Sequence, residues 1–277
     1  MIARDTSPEI DEIQIGLLRK AGPARRLQLA EQLSAMVWKA SRHAVDRYYP
    51  QENADQRDER FLAGIYGSDL AERFIAHRQK IQGPRNKGAD MTDEIVAVTL
   101  RVVEVLESLN VAYEIGGSLA TSMHGTPRST VSVEFAVDFR PGQAAVFVNM
   151  LENEFFTNER DIEEAIQKRM CCSIIHAATL RKINLATVDN SEFEKISFSR
   201  RVRVQLADDS GRSIYVRSAE DVVLHSLIWH AQSGEVLTQA YQDAFAVLRV
   251  SGASMDSEYL HRWAIREDVH YLLKRLE

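Results

Sequence analysis

Gly116-Gly117-Ser118 follows a short strand, Val111–Ile115, and leads into a helix, Leu119–His124. Glycines at a helix start let backbone amides approach a phosphate closely. Further along, Val131–Phe139 alternates, with Val131, Val133, Phe135 and Val137 on one face. Ser132, Glu134, Ala136 and Asp138 share the other. Two carboxylates at i and i+2 on such a strand would point the same way and share a divalent cation. That cation would bridge triphosphate oxygens, and a third carboxylate on a neighbouring strand would orient an attacking hydroxyl. Strand, glycine turn, helix and polar strand in this order suit nucleotidyl transfer.

Gly116-Gly117-Ser118-Leu-Ala, His124-Gly125-Thr-Pro127-Arg128-Ser-Thr130 and Val-Ser132-Val-Glu134-Phe together resemble the DNA polymerase beta-like nucleotidyltransferase superfamily. The resemblance is nearest to the AbiEii-toxin-type branch and its uncharacterised relatives. Their pattern is Gly-Gly-x-x-Ala, then His-Gly-x-x-Arg-x-Thr, then Asp-hydrophobic-Asp. Arg181-Lys182-Ile183-Asn184-Leu185 looks like the family's Lys-hydrophobic-Asp strand. Arg200-Arg201-Val-Arg203 and Ser218-Ala-Glu-Asp221-Val-Val-Leu-His225 look like further family blocks. The likeness spans about residues 95–275. It implies a mixed sheet with flanking helices, a nucleoside triphosphate as ligand or substrate, and Mg2+ or Mn2+. It places Gly116, Gly117, Ser118, Arg128, Thr130 and Lys182 at the nucleotide. It places Ser132, Glu134 and Asn184 at the catalytic positions, with Glu134 on the metal.

The chain departs from the pattern where the chemistry is. The first family carboxylate falls at Ser132, the second at Glu134 and the third at Asn184. A lysine usual after the later histidine is replaced by Ser226. A serine and an amide do not balance a divalent cation as carboxylates do, and lost electrostatic stabilisation costs orders of magnitude in rate. Asp138 shares the face of Glu134 but lies about 13 Å beyond it at strand rise. It reads as a surface or capping acid.

Each residue also has a plain reading. Gly116–Ser118 alone is a tight turn. Glu134 is a polar residue on an outward strand face. Arg128 either grips a phosphate with two parallel donors or pairs with Glu134 or Asp138. His225 and His230 do not share a helix face. Arg201 and Arg203 form a solvated face or ion pairs. The adjacent Cys171 and Cys172 neither bridge each other nor form a zinc framework. They read as two small hydrophobes in a core strand.

The elements that must position these residues form an α+β chain. Residues 1–80 read as a small helical bundle, 81–91 as a linker, and 92–277 as a nucleotidyltransferase-like domain with helices at its end. From Pro23, with Gly22 as a break, Leu27, Ala30, Leu33, Val37, Ala40 and Ala44 step by three and four along a helix ending before Pro50. Ile10, Ile13, Leu17 and Leu18 make an earlier amphipathic stretch. Further helices cover about 52–63 and 68–80, split at Gly67. Ile-Gln-Gly-Pro-Arg-Asn-Lys-Gly-Ala-Asp-Met over 81–91 carries turn residues. Asp90 or Thr92 caps a helix to about Leu109, with Ile95, Val98, Val102, Val105, Leu106 and Leu109 on one face. Pro141–Phe155 reads as helix, and Ser173–Ala177, Ile183–Val188, Val202–Leu206 and Ile214–Val216 as strands. Ser218-Ala-Glu-Asp221 looks like a capping box for a helix to about Ser233. Helices over 237–250 and 256–275 follow, with Leu260, Trp263, Leu272 and Leu276 in the core.

Composition bounds the rest. The 277 residues, 27% charged and 45% hydrophobic, suit one large domain or two smaller ones that need no disulfide or structural metal. No apolar run reaches the roughly 20 residues of a membrane span, and the charged start Met1–Asp5 is unlike a signal peptide. A cytoplasmic protein with no membrane partner is expected. Net charge is −6, and the acidic excess lies after residue 90, so non-specific nucleic-acid binding is not expected.

Three functions follow from this reading. The first is a catalytically degraded nucleotidyltransferase fold that binds a nucleotide or a partner. The second is an active, metal-dependent enzyme using Glu134 to transfer a nucleoside monophosphate from a triphosphate to a protein or RNA. The third is a scaffold that meets a protein partner through residues 1–80.

Overall fold

The structure, a computed structural model, describes residues 6–81, 94–140, 142–206 and 211–277. The expected linker beyond Ile81, the Asp90 or Thr92 cap and Pro141 lie outside the described residues. Among the described residues the order is α1 (Pro8–Tyr48), α2 (Ala54–Tyr66), α3 (Ser68–Ile81), α4 (Glu94–Ser108), β1 (Tyr113–Ile115), α5 (Gly117–His124), β2 (Ser132–Val137) and α6 (Gln143–Leu151). There follow β3 (Phe155–Phe156), α7 (Glu159–Lys168), β4 (Cys171–His176), β5 (Lys182–Thr187), α8 (Glu192–Ser199), β6 (Val202–Gln205) and β7 (Ser213–Val216). The chain ends in α9 (Ala219–Gln232), α10 (Thr238–Ser251), α11 (Ser257–Arg266) and α12 (His270–Lys274). The strands run β3-β4-β5-β2-β1-β7-β6 in one mixed sheet. The fold is α+β, with helices before and after the strands.

The chain divides into two compact units, residues 31–113 with 129–187, and residues 1–30 with 114–128 and 188–277. The helices before residue 81 are split between them, since α1 continues from one unit into the other.

In the unit of residues 31–113 and 129–187, β2 pairs in parallel with β5 along its whole length, while β4 is antiparallel to β5 and β3 to β4. The alternation of β2 holds, with Val133, Phe135 and Val137 buried. Along α4, Ile95, Val98, Val102, Val105 and Leu106 are buried as their spacing predicts. The helices here share a core of Trp38, Phe61, Leu62, Ala71, Phe74 and Ile75, joined by Ile175 and Leu180. Asp58, fully buried, receives Arg42 at 2.5 Å and Arg78 at 2.7 Å.

Leu27 and Ala30 are buried as expected, but beyond them the face of α1 turned inward differs from the expected one. Ser34 and Trp38 are buried, whereas Leu33, Met36, Val37, Ala40 and Ala44 are exposed. The reason is the size and pairing of what faces in. Trp38 meets the edge of Phe61 at 4.7 Å and the Arg181 guanidinium at 4.0 Å. Ser34 accepts from the Thr130 amide at 3.0 Å, and Arg42 reaches Asp58. One large aromatic and two polar anchors outweigh a stripe of smaller apolar residues.

Cys171 and Cys172 do open a strand, β4, but Cys171 is exposed and Cys172 half-buried, and both are free thiols. They stand at the strand's outer end, where Cys171 pairs with Ala186 near the end of β5, so the expected core position does not hold. Sequence reasoning assigned no element to α7 or α8, and Phe155–Phe156 is a short strand rather than a helix end.

In the unit of residues 1–30, 114–128 and 188–277, β1 and β7 are parallel and β6 is antiparallel to β7. α5 packs on α9 and α10, and α9 packs on α10 and α11. Ser218 opens α9, its Oγ accepting from the Asp221 amide at 3.2 Å and donating to the Asp221 carboxylate at 2.6 Å. The expected last helix breaks into α11 and α12, with Leu260, Trp263 and Leu272 buried. Gly22 has a φ of 73° and kinks α1 just before Pro23.

Candidate functional site

The positions at which the resemblance implies catalysis lie on β2 and β5. The register sets Glu134 beside Asn184 and Ser132 beside Lys182, and Asn184 beside Ser173 of β4. Ser132, Glu134 and Asn184 therefore come together on one face of the sheet. The Ser132 hydroxyl, one Glu134 carboxylate oxygen and the Asn184 amide oxygen are engaged with neighbouring side chains. Ser132 Oγ donates to Glu134 Oε1 at 2.7 Å. Ser173 Oγ donates to Asn184 Oδ1 at 2.8 Å.

The ends of these strands are fixed by the chain itself. Thr130 Oγ1 donates to the Ser132 carbonyl at 2.8 Å, and its amide donates to Ser34. Lys182 Nζ stands 4.8 Å from the centre of the Tyr66 ring, whose hydroxyl donates to the Val131 carbonyl at 2.8 Å. Burial pushes the Tyr66 phenol above its ordinary range, with the Arg181 guanidinium opposing. Burial likewise pushes Cys172 up to about 12 and raises Cys171, although Lys182 pulls the latter down. Neither thiol is activated as a nucleophile. Asp138 is exposed, and its amide donates to the Ala112 carbonyl.

The glycine turn belongs to the other unit. Gly116 caps α5 in an extended conformation and Gly117 has a φ of 54°, which glycine adopts freely. Gly117 is exposed, while Ser118 through His124 are buried. A Cβ on Gly116 would lie 3.5 Å from the Arg217 guanidinium. Arg217 Nε and Nη2 both lie 2.7 Å from Glu114 Oε1. Glu114 is 1% exposed and its Oε2 has no hydrogen-bond partner. Burial raises its pKa, with Arg217 acting against the rise. The space over Gly116 thus holds the protein's own cation.

His124-Gly125 is a packing device here. His124 Nε2 is 2.8 Å from the Arg217 carbonyl, and the His124 carbonyl accepts from Ser251 Oγ at 2.5 Å. A Cβ on Gly125 would stand 2.9 Å from the Val247 amide nitrogen, so glycine is what lets the α10 backbone approach. Arg128 donates to Asp243 Oδ2 at 2.7 Å, and Ser122 Oγ accepts from its amide at 3.2 Å. His225 lies 3.6 Å from Glu194 and 3.4 Å from Ser197 Oγ. Burial holds its imidazole well below the ordinary value. Arg201 lies over the Phe198 and Tyr215 rings.

A divalent cation does not fit the residues on β2 and β5. They offer one carboxylate, with Oε1 already accepting from Ser132, and the Asn184 oxygen is taken by Ser173. Mg2+ and Mn2+ call for a hard anionic oxygen set. Among the described residues, no group of three His, Cys, Asp or Glu side chains could hold a metal. No helix among them is long and apolar enough to cross a membrane.

Arg217, Ser173 and Tyr66 were not singled out from sequence. Ser173 becomes visible only through the antiparallel register of β4 with β5, and Tyr66 only through the packing of α2. Arg217 carried a faint signal, as the basic residue just before the Ser218 cap.

No family model matches the chain, and no curated protein matches it. Among solved structures, an antigenic nucleotidyltransferase-like protein from Paracoccidioides brasiliensis is similar. It shares 14% identity, with a TM-score of 0.39, over 64% of this chain and 91% of that one.

Proposed function

We propose that this chain is a nucleotidyltransferase-fold protein whose catalytic centre has decayed and which acts by binding a nucleotide or a partner. One observation carries the reading. At two of the three positions where the resembled family places carboxylates stand Ser132 and Asn184, each hydrogen-bonded to a neighbouring side chain. Without paired anions there is nothing to gather a metal-bound triphosphate for transfer. Of the groups expected at a nucleotide, Thr130 spends its amide and hydroxyl on Ser34 and Ser132, and Arg128 donates to Asp243. The Gly117 and Ser118 amides at the start of α5 are the groups we assign to phosphate. The test is a transfer assay with α-labelled triphosphates, Mg2+ or Mn2+, and protein and RNA acceptors. No labelled product above a boiled control is expected. Metal-dependent labelling that disappears in Glu134→Gln would overturn the reading in favour of an active enzyme.

A further inference from the structure

The later half of α1 carries an apolar stripe that stays exposed among the described residues. Leu33 is 41% exposed, Met36 68%, Val37 48% and Tyr48 78%, with Ala40 and Ala44 exposed between them. The spacing of 33, 36/37, 40, 44 and 48 keeps these residues on one side of the helix for about 22 Å at helical rise. The stripe has heptad-like steps of three and four, and it lies away from the side on which Ser34 and Trp38 are buried. Contiguous exposed apolar surface of this kind marks an interaction site in a soluble protein.

A basic edge runs beside it. Lys39, His43 and Arg47 repeat every fourth residue, all exposed. None of the three makes an ion pair or hydrogen bond among the described residues. Arg47 has a local benefit, since it sits in the last turn, but Lys39 and His43 do not. An apolar stripe flanked by a basic row complements one partner chemistry: an amphipathic helix with an apolar face and an acidic edge. Three basic positions fall short of the larger clusters that bring acidic proteins to anionic membranes.

We infer that residues 33–48 of α1 form a docking face for an acidic amphipathic helix of a protein partner, anchored by Leu33, Met36 and Val37 and oriented by Lys39 and Arg47. The helix lies along the stripe with its apolar residues at i, i+3, i+4 and i+7, and its carboxylates face the basic row. The face does not depend on whether the protein also binds a nucleotide.

The test uses the full chain and a labelled synthetic peptide of about 20 residues, long enough to span the face as a helix, with leucines on one side and glutamates along the edge. Fluorescence anisotropy should show saturable, salt-sensitive binding. Met36→Glu with Val37→Glu should weaken it at least about tenfold, and thermal melts should show these exposed substitutions folding as the parent does. Lys39→Glu with Arg47→Glu should weaken the acidic peptide and strengthen one whose glutamates are replaced by lysine. Three results would each overturn the inference: equal binding by parent and variants, tighter retention on phosphatidylserine vesicles than on the peptide, or a parent dimer that Met36→Glu converts to monomer. The last would assign the face to a second copy of this chain.

Discussion

Asp58 shows how much one side chain can carry. It is fully buried and held by Arg42 and Arg78, and Arg78 also reaches Asp55 at 2.5 Å. Removing one partner of a buried ionic group leaves uncompensated charge behind. Asp58→Ala should therefore cost about 3–5 kcal/mol, read as a shift in the urea midpoint. Gly125 is constrained differently, because a Cβ there meets the α10 backbone, which has no flexible end to yield. Gly125→Ala should cost about 1–3 kcal/mol by overpacking, measured the same way. The buried histidines set an acid limit. Burial holds His124, His176 and His225 below the ordinary imidazole range. Unfolding returns them to about 6.5, so the unfolded chain takes up protons that the folded chain refuses. Their stabilising contribution is complete above about pH 6.5 and falls as the pH drops through the folded values. His225→Gln should reduce the proton uptake on unfolding by about one, read from urea midpoints across that range. An unchanged slope would contradict it.

At the scale of elements, α1 is the instructive case. Its boundaries were legible: Gly22 with Pro23 gives the kink, and the helix ends at Tyr48 before Pro50. Its buried face was legible at Leu27 and Ala30 but not beyond them. Counting apolar residues selects Leu33, Val37, Ala40 and Ala44, whereas packing selects Ser34 and Trp38, because Trp38 fills the gap between Phe61 and Arg181. Periodicity ranks residues by polarity, and it carries no information about which side meets a large ring or a buried carboxylate. Trp38→Ala should cost about 3–5 kcal/mol, while Val37→Ser should change thermal stability little. The opposite order would mean that the stripe is covered. The sheet was more readable. Alternation marked β2, and short β-branched runs marked β5 and β7, although α7 and α8 went unassigned.

For the whole molecule, the order of elements sufficed for an α+β fold, the resemblance implied its mixed sheet, and the structure has that fold. The candidate site was legible in part. Ser132, Glu134 and Asn184 were named through the family resemblance, and the β2–β5 register brings them together. Ser173 was not, because a partner on an antiparallel strand depends on a register that local sequence does not set. Arg217, lying against Gly116 and tied to Glu114, was hidden for a similar reason, since parallel pairing of β1 with β7 joins residues far apart in the chain.

The most direct measurement is calorimetric titration of the full chain with each of the four nucleoside triphosphates, in Mg2+ and again in EDTA. A decayed centre predicts that whatever affinity exists is the same in both, because Ser132 and Asn184 give the metal no anionic seat. Binding that appears only with Mg2+ and vanishes in Glu134→Gln would contradict it.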